Sequence, residues 1–148
     1  MIKNNSIKIV GLLVTLAGLA VAVYFFLPVK FDPNPQVWFS ATYYLQFIPL
    51  YIAVTFLLCG FFIFMGYSRV NLYLAVFGHA TSEEILFSWL GLTVSPLPTY
   101  AMYIFFPFSL VALWLAYSNV LKKKPVSVAE AVFGIVFSTA FILFPRFL

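Results

Sequence analysis

Residues 9–29, IVGLLVTLAGLAVAVYFFLPV, contain no charged side chain and decide the class of fold. At about 1.5 Å of rise per residue, roughly twenty helical residues cross the hydrocarbon core of a bilayer. Within this stretch, small residues recur at helical spacing at Gly11, Thr15, Gly18 and Ala22. Such a stripe lets another helix backbone approach closely, so we expect this face to pack on a neighbouring helix.

The rest of the chain is similarly apolar. Of its 148 residues, 64% are hydrophobic and 8% are charged, whereas a soluble domain of this size needs many more polar side chains on its surface. Further apolar stretches lie at residues 45–67, 70–94, 99–119 and 128–144. The sequence therefore predicts an all-α polytopic membrane helix bundle with five hydrophobic segments, forming a single transmembrane domain over residues 1–148. Ser127 and Glu130 have the spacing of a capping box, which predicts the start of the last helix.

The basic residues predict how the chain is oriented in the membrane. If all five segments cross and the N-terminus is cytoplasmic, six basic residues face the cytoplasm, and Lys30 and Arg146 face the outside. Four crossings would place four basic residues on each side. Because basic residues concentrate on the cytoplasmic side, we expect five crossings, with the N-terminus cytoplasmic and the C-terminus outside. The expected location is the cell membrane of a prokaryote.

The third segment, residues 70–94, differs from the others because polar residues lie at its centre. Residues 78–84 read GHATSEE and hold the only histidine and two of the four acidic residues of the chain. An ionised carboxylate at the bilayer centre costs about 2.5 to 3.5 kcal/mol on insertion scales. On one continuous helix, the small and polar residues of this segment would form two stripes on nearly opposite faces.

Local signals favour a break within this segment. Thr81 and Glu84 have the spacing of a second capping box, and Gly78 is suited to end a preceding helix. We therefore predict four regular transmembrane helices plus one interrupted or re-entrant helix, with helical parts at residues 70–77 and 82–94. Three interpretations stay open: two short amphipathic helices at the membrane interface, a buried structural break, or a polar functional site.

A candidate polar site consists of His79, Ser82, Glu83 and Glu84. His79 and Glu83 are four residues apart, so on a continuous helix they would share a face. A histidine beside a carboxylate in a low-dielectric site suits a proton relay, a metal ion or a haem. One histidine and two glutamates do not complete the three or four ligands that a metal usually takes, and nucleotide-binding and nucleophile motifs are absent from the sequence. We predict no catalytic residue, no metal site and no cofactor, but contacts with lipid.

Small size and polar groups that need partners favour a structural role. The first hypothesis is a small integral membrane subunit of a larger membrane protein complex, such as a respiratory or other redox assembly, without catalytic activity of its own. Its partners would be other integral membrane subunits and lipid, in a homo- or hetero-oligomer, and not nucleic acid. The alternative is a small oligomeric proton- or ion-coupled transporter or channel that uses a membrane-embedded carboxylate. A third hypothesis is an intramembrane enzyme.

Overall fold

A computed structural model describes residues 4–147, and within that range the chain is helical and contains no strand. Its α-helices, in chain order, are α1 (Asn4–Phe26), α2 (Ala41–Leu45), α3 (Ile48–Met65), α4 (Val70–Trp89), α5 (Thr99–Ser118) and α6 (Val128–Leu143). Short 3₁₀ turns lie at Val37–Phe39 and Phe144–Phe147. The capping box predicted at Ser127 and Glu130 is confirmed, and it begins α6.

Four helical segments are long and apolar enough to cross a membrane, which confirms the predicted membrane helix bundle. They are Asn5–Phe26, Ala41–Met65, Thr99–Ser118 and Val128–Phe147. Helices α1 and α3 run antiparallel, since Gly11 faces Phe64 and Gly18 faces Leu57. Helices α4 and α5 do so as well, since Asn71 is hydrogen-bonded to Asn119 and the Trp89 ring lies against Tyr103. Glu130, in the first turn of α6, lies beside Arg69, just before α4. Helices α4 and α6 therefore start at the same end of the bundle.

The basic residues are divided unequally between the two ends. Among the described residues, one end holds Lys8, Arg69 and the lysines at 122–124, and we call it the basic end. Lys30 and Arg146 lie at the opposite end, where Lys30 exchanges backbone hydrogen bonds with the Gln46 side chain. Most of the positive charge of the described residues thus lies at one end of the bundle.

The third segment forms one uninterrupted helix, α4, so the interruption predicted within residues 70–94 is wrong, and the helix ends at Trp89 and not at residue 94. Gly78 lies inside the helix and does not end it, and Thr81 does not cap a new one. The Ser82 hydroxyl donates a 2.6 Å hydrogen bond to the Gly78 carbonyl, four residues earlier in the same helix. The expectation of a break assumed that both polar stripes must meet one polar environment. In the structure, Asn71 and Gly78 of the first stripe face α5 and its C-terminal end, whereas Glu84 of the second stripe pairs with Arg146.

Helix α4 lies at the centre of the bundle, packed between α3, α5 and α6. Eleven of its twenty residues are buried, against three of sixteen in α6. Its fully buried polar residues are Asn71, Thr81 and Glu84. Neighbouring helices shield α4 from lipid, and α4 therefore tolerates these polar residues. The same polar residues lower its hydropathy, so α4 is not among the four segments that are apolar enough to span a membrane.

Helices α1 and α3 approach each other closely through glycine. A Cβ atom added at Gly18 would lie 2.6 Å from Leu57 Cα, and one added at Gly60 would lie 2.5 Å from the Thr15 backbone nitrogen. Gly11 faces the backbone of Phe64 in the same way. The small-residue stripe of α1, which ends at the buried Ala22, therefore lies along α3. Such close backbone contact maximises dispersion between helices where lipid gives no hydrophobic driving force.

An ion pair joins the C-terminal end of the chain to α4. Arg146 Nη2 donates to both carboxylate oxygens of Glu84, at 2.9 and 3.0 Å, and the Glu84 side chain is fully buried. Arg146 also donates to the carbonyls of Val94 and Ile142. Arg146 is thus more than the orientation signal that the sequence suggested, since it compensates the charge of a buried carboxylate.

We predict that Gly18→Ala destabilises the protein, whereas Gly134→Ala does not. The added methyl group at Gly18 meets the α3 backbone, and overpacking of this kind costs about 1 to 3 kcal/mol. Gly134, in α6, has open space at the corresponding position, so its replacement is expected to be neutral or slightly stabilising. Thermal unfolding in detergent measures both variants. Equal effects of the two substitutions would contradict the close α1–α3 contact.

We predict that Glu84→Gln lowers the free energy of unfolding by about 3 to 5 kcal/mol, because Arg146 then keeps a buried charge without its carboxylate. Arg146→Gln has a similar effect for the reciprocal reason. The double variant is expected to lose less than the sum of the two single losses. Denaturant titration in mixed micelles gives the three free energies, and strictly additive losses would show that the pair is not coupled.

Candidate functional site

A row of four polar side chains connects α5, α4 and α6. Tyr117 Oη of α5 lies 2.8 Å from His79 Nε2 of α4. On the other side of the imidazole ring, His79 Nδ1 lies 3.9 Å from Glu83 Oε1. The hydroxyl of Thr139, on α6, donates a 2.8 Å hydrogen bond to Glu83 Oε2. We call these four residues the polar row.

The polar row lies where two helices leave α4 partly uncovered. Both α5 and α6 pack on α4, but they are not a closely packed pair. Leu72, His79 and Leu86 succeed each other at seven-residue spacing and so lie on one face of α4. We call this uncovered strip, between α5 and α6, the α5–α6 groove. The side chains of His79 and Glu83 are 16% and 15% exposed there, and Leu86 is 40% exposed.

The continuity of α4 brings the polar row together. With 3.6 residues per turn, the four-residue spacing of His79 and Glu83 stacks their side chains on one face. An interruption of the helix at Gly78 would have removed this stacking of the His79 and Glu83 side chains. Tyr117 reaches His79 from the last turn of α5, and Thr139 reaches Glu83 from within α6. Each of the three helices thus contributes to a site that α4 alone does not form.

The four residues of the predicted polar site lie in three different surroundings. His79 and Glu83 belong to the polar row. Glu84 points away from them and pairs with Arg146. Ser82 is buried, and its hydroxyl is hydrogen-bonded to the backbone carbonyls of Gly78 and His79 in its own helix. These residues therefore do not converge on a common point.

Three residues of this region were not among the sequence candidates. Tyr117, Thr139 and Arg146 lie 38, 56 and 62 residues along the chain from their partners. No local spacing signal relates them to α4. The one usable signal was the composition: a glutamate inside an apolar segment needs a cation, the chain has eight basic residues, and Arg146 follows the last apolar stretch.

The contacts restrict the chemistry of the site. His79 has no side-chain hydrogen bond with Ser82, whose hydroxyl is bound to the helix backbone, so the two do not form a nucleophile and base pair. Among the described residues, no cluster of three or more His, Cys, Asp or Glu side chains could hold a metal ion. A phenol, an imidazole and a carboxylate in sequence remain, and these groups exchange protons and hydrogen bonds.

The polar row and the ion pair also differ in how many of their carboxylate oxygens accept a hydrogen bond. Glu84 is enclosed and accepts both of its hydrogen bonds from Arg146. Glu83 has a hydrogen bond at one oxygen, and its other oxygen faces His79 at a distance beyond a hydrogen bond. Glu83 thus retains capacity to bind a further donor.

Comparisons with protein-family models, with curated proteins and with solved structures found no significant match to this chain.

Proposed function

We propose that this chain is an integral membrane subunit of a larger membrane protein complex, and that a partner helix covers the α5–α6 groove. The observation that carries the proposal is the pair of His79 and Glu83, which are 16% and 15% exposed in a groove that α5 and α6 leave open. The role is structural: the chain contributes a pre-formed polar face to an assembly.

The energetics of burial support a covering partner. A carboxylate in the hydrocarbon region costs about 2.5 to 3.5 kcal/mol on insertion scales, and polar groups at that depth face other protein or a water-filled cavity. Thr139 supplies Glu83 with one hydrogen bond, and Leu86 lies exposed on the same face. A partner helix with a donor side chain would complete the hydrogen bonding of Glu83 and remove Leu86 and His79 from lipid.

We further propose that α4 is a fifth crossing and that the basic end is cytoplasmic. Asn71, near the start of α4, donates to Asn119 and to the Lys124 carbonyl at the basic end, whereas Glu84 binds Arg146 at the opposite end. The unequal division of basic residues supports the orientation. The N-terminus is then cytoplasmic, the C-terminus outside, and the membrane is the cell membrane of a prokaryote.

We predict that a photo-crosslinking amino acid at Leu86 captures one membrane protein in native membranes. Leu86 lies in the α5–α6 groove, so a helix that covers the groove comes within reach of it. The matched control is the same amino acid at Leu16, which is 55% exposed on α1. Electrophoresis and peptide mass spectrometry of the adducts identify what each position contacts. The expected result is a discrete protein adduct from position 86 alone.

Two results would overturn the subunit proposal. One is adducts of equal yield and equal diversity from positions 86 and 16, which would show that the groove faces lipid. The other is purification in mild detergent of a stable, homogeneous species that contains a single copy of this chain and no other protein. Loss of the position 86 adduct on Glu83→Gln would add that the carboxylate itself contributes to the contact.

A second function is favoured by the order of groups in the polar row. Tyr117 is hydrogen-bonded to His79, and Glu83 lies 3.9 Å from the other imidazole nitrogen, so a phenol, an imidazole and a carboxylate adjoin one another. Membrane-embedded proton and cation relays use groups of this kind. We propose a small oligomeric proton- or ion-coupled transporter or channel as the alternative. Its essential carboxylate is Glu83, since Glu84 is neutralised by Arg146.

We predict for this alternative that Glu83→Gln abolishes proton or cation flux in reconstituted vesicles, because glutamine does not ionise. A pH-sensitive dye inside the vesicles measures the flux. Glu130→Gln is the matched control, since Glu130 lies at the basic end and caps α6. Flux that is the same in Glu83→Gln, in the control and in the unaltered protein would exclude a relay through this carboxylate.

A further inference from the structure

A second groove lies on the other side of α5, between α5 and α1. Helix α1 packs on α3 and helix α5 packs on α4, but α1 and α5 are not a closely packed pair. Three adjoining hollows of about 140, 280 and 190 Å³ follow the gap from the basic end towards the middle of the bundle. We call this feature the α1–α5 groove. It is separate from the polar row and from the α5–α6 groove.

The first hollow lies at the basic end and is lined by the lysines at positions 8, 122 and 123. Lys123 Nζ is occupied, since it donates a 2.7 Å hydrogen bond to the Gly66 carbonyl at the end of α3. Among the described residues, the ammonium groups of Lys8 and Lys122 have no hydrogen bond or ion pair. The acidic residue of this end, Glu130, is already bound by Arg69, Lys124 and Ser127. The hollow therefore carries uncompensated positive charge.

The second and third hollows continue the groove with apolar walls. The second shares Ile7, Ile63 and Leu121 with the first, and the third shares Ile63 and Leu115 with the second, so the three are contiguous. Side chains from four helices line the third hollow, among them Val14 of α1, Phe56 of α3, Leu74 of α4 and Val111 of α5. A slot of this kind accepts hydrocarbon and excludes charge.

A bridge closes the gap between α1 and α5 nearer the opposite end. The hydroxyl groups of Tyr24 and Tyr100 are 2.7 Å apart, which ties the two helices together there. The groove is thus open where the lysines lie and bridged where α1 ends. Along the membrane normal, the lysines at the basic end lie where a lipid headgroup would be, and the apolar walls lie where its acyl chains would be.

We propose that the α1–α5 groove binds an anionic phospholipid, with the phosphate between Lys8 and Lys122 and one acyl chain in the apolar hollows. A soluble anion would not use the apolar walls, and a neutral lipid would not use the two lysines. Basic pockets between transmembrane helices bind anionic headgroups, and each basic residue near such a headgroup strengthens binding about fivefold. The lipid is a fixed component of the fold at this end, in addition to any partner in the α5–α6 groove.

Native mass spectrometry of the full chain, together with any proteins that copurify with it in mild detergent, tests the headgroup part of the proposal. Phosphatidylglycerol, phosphatidylcholine of the same chain length and inorganic phosphate are titrated separately. One phosphatidylglycerol is expected to bind tightly, and the variant Lys8→Gln with Lys122→Gln is expected to weaken it on the order of thirtyfold. Lys30→Gln, at the opposite end, is the control and is expected to leave the affinity unchanged.

The acyl-chain part is tested by filling the groove without changing charge. Val111→Trp places an indole in the third hollow, whereas Val132→Trp places one on the outer face of α6; these valines are 52% and 54% exposed. Only the first substitution is expected to reduce phosphatidylglycerol binding. Equal binding of phosphatidylcholine, displacement of the lipid by inorganic phosphate, or equal effects of the two tryptophans would each overturn the proposal.

Discussion

The structure depends on one constraint, which is that hydrocarbon does not solvate the polar residues of α4. Asn71, Thr81 and Glu84 are fully buried in protein, and a helix that carries them is stable only when other helices surround it. Helix α4 therefore lies between α3, α5 and α6, and the more apolar helices lie outside it. The order of layers in the bundle follows from the polarity of its central helix, because the least apolar segment needs the most protein around it.

The apolar stretches could be predicted from composition because lipid is a uniform solvent. Four of the five hydrophobic segments that the sequence predicted are long and apolar enough to span a membrane in the structure, and α4, the fifth, is not among them. The continuity of α4 could not be predicted in this way. Two polar stripes on opposite faces suggested a break only because a single polar environment was assumed. Asn71 and Gly78 face α5 while Glu84 faces Arg146, so two environments exist and the helix has no need to break.

The candidate site was predictable only where its spacing was local. The four-residue separation of His79 and Glu83 stacks them on one face of a helix, and their facing atoms lie 3.9 Å apart. Tyr117, Thr139 and Arg146 come from other helices, and their positions follow from packing, which a single sequence does not encode in any short pattern. From the sequence, Arg146 was interpreted only as an orientation signal, so its contact with Glu84 was not predicted.

Glu83 and Glu84 show how helix geometry gives two adjacent residues different surroundings. Adjacent residues differ by about 100° around a helix, so these two carboxylates face different neighbours. Glu84 is fully enclosed and neutralised by an arginine, which leaves it no capacity for a further ligand. Glu83 is bound at one oxygen by Thr139 and is partly exposed in the groove beside His79. Glu83 ties α6 to α4 through one oxygen only, which leaves its other oxygen without a hydrogen bond at this depth. The cost of keeping Glu83 at this depth is therefore the strongest argument that the α5–α6 groove meets something outside this chain.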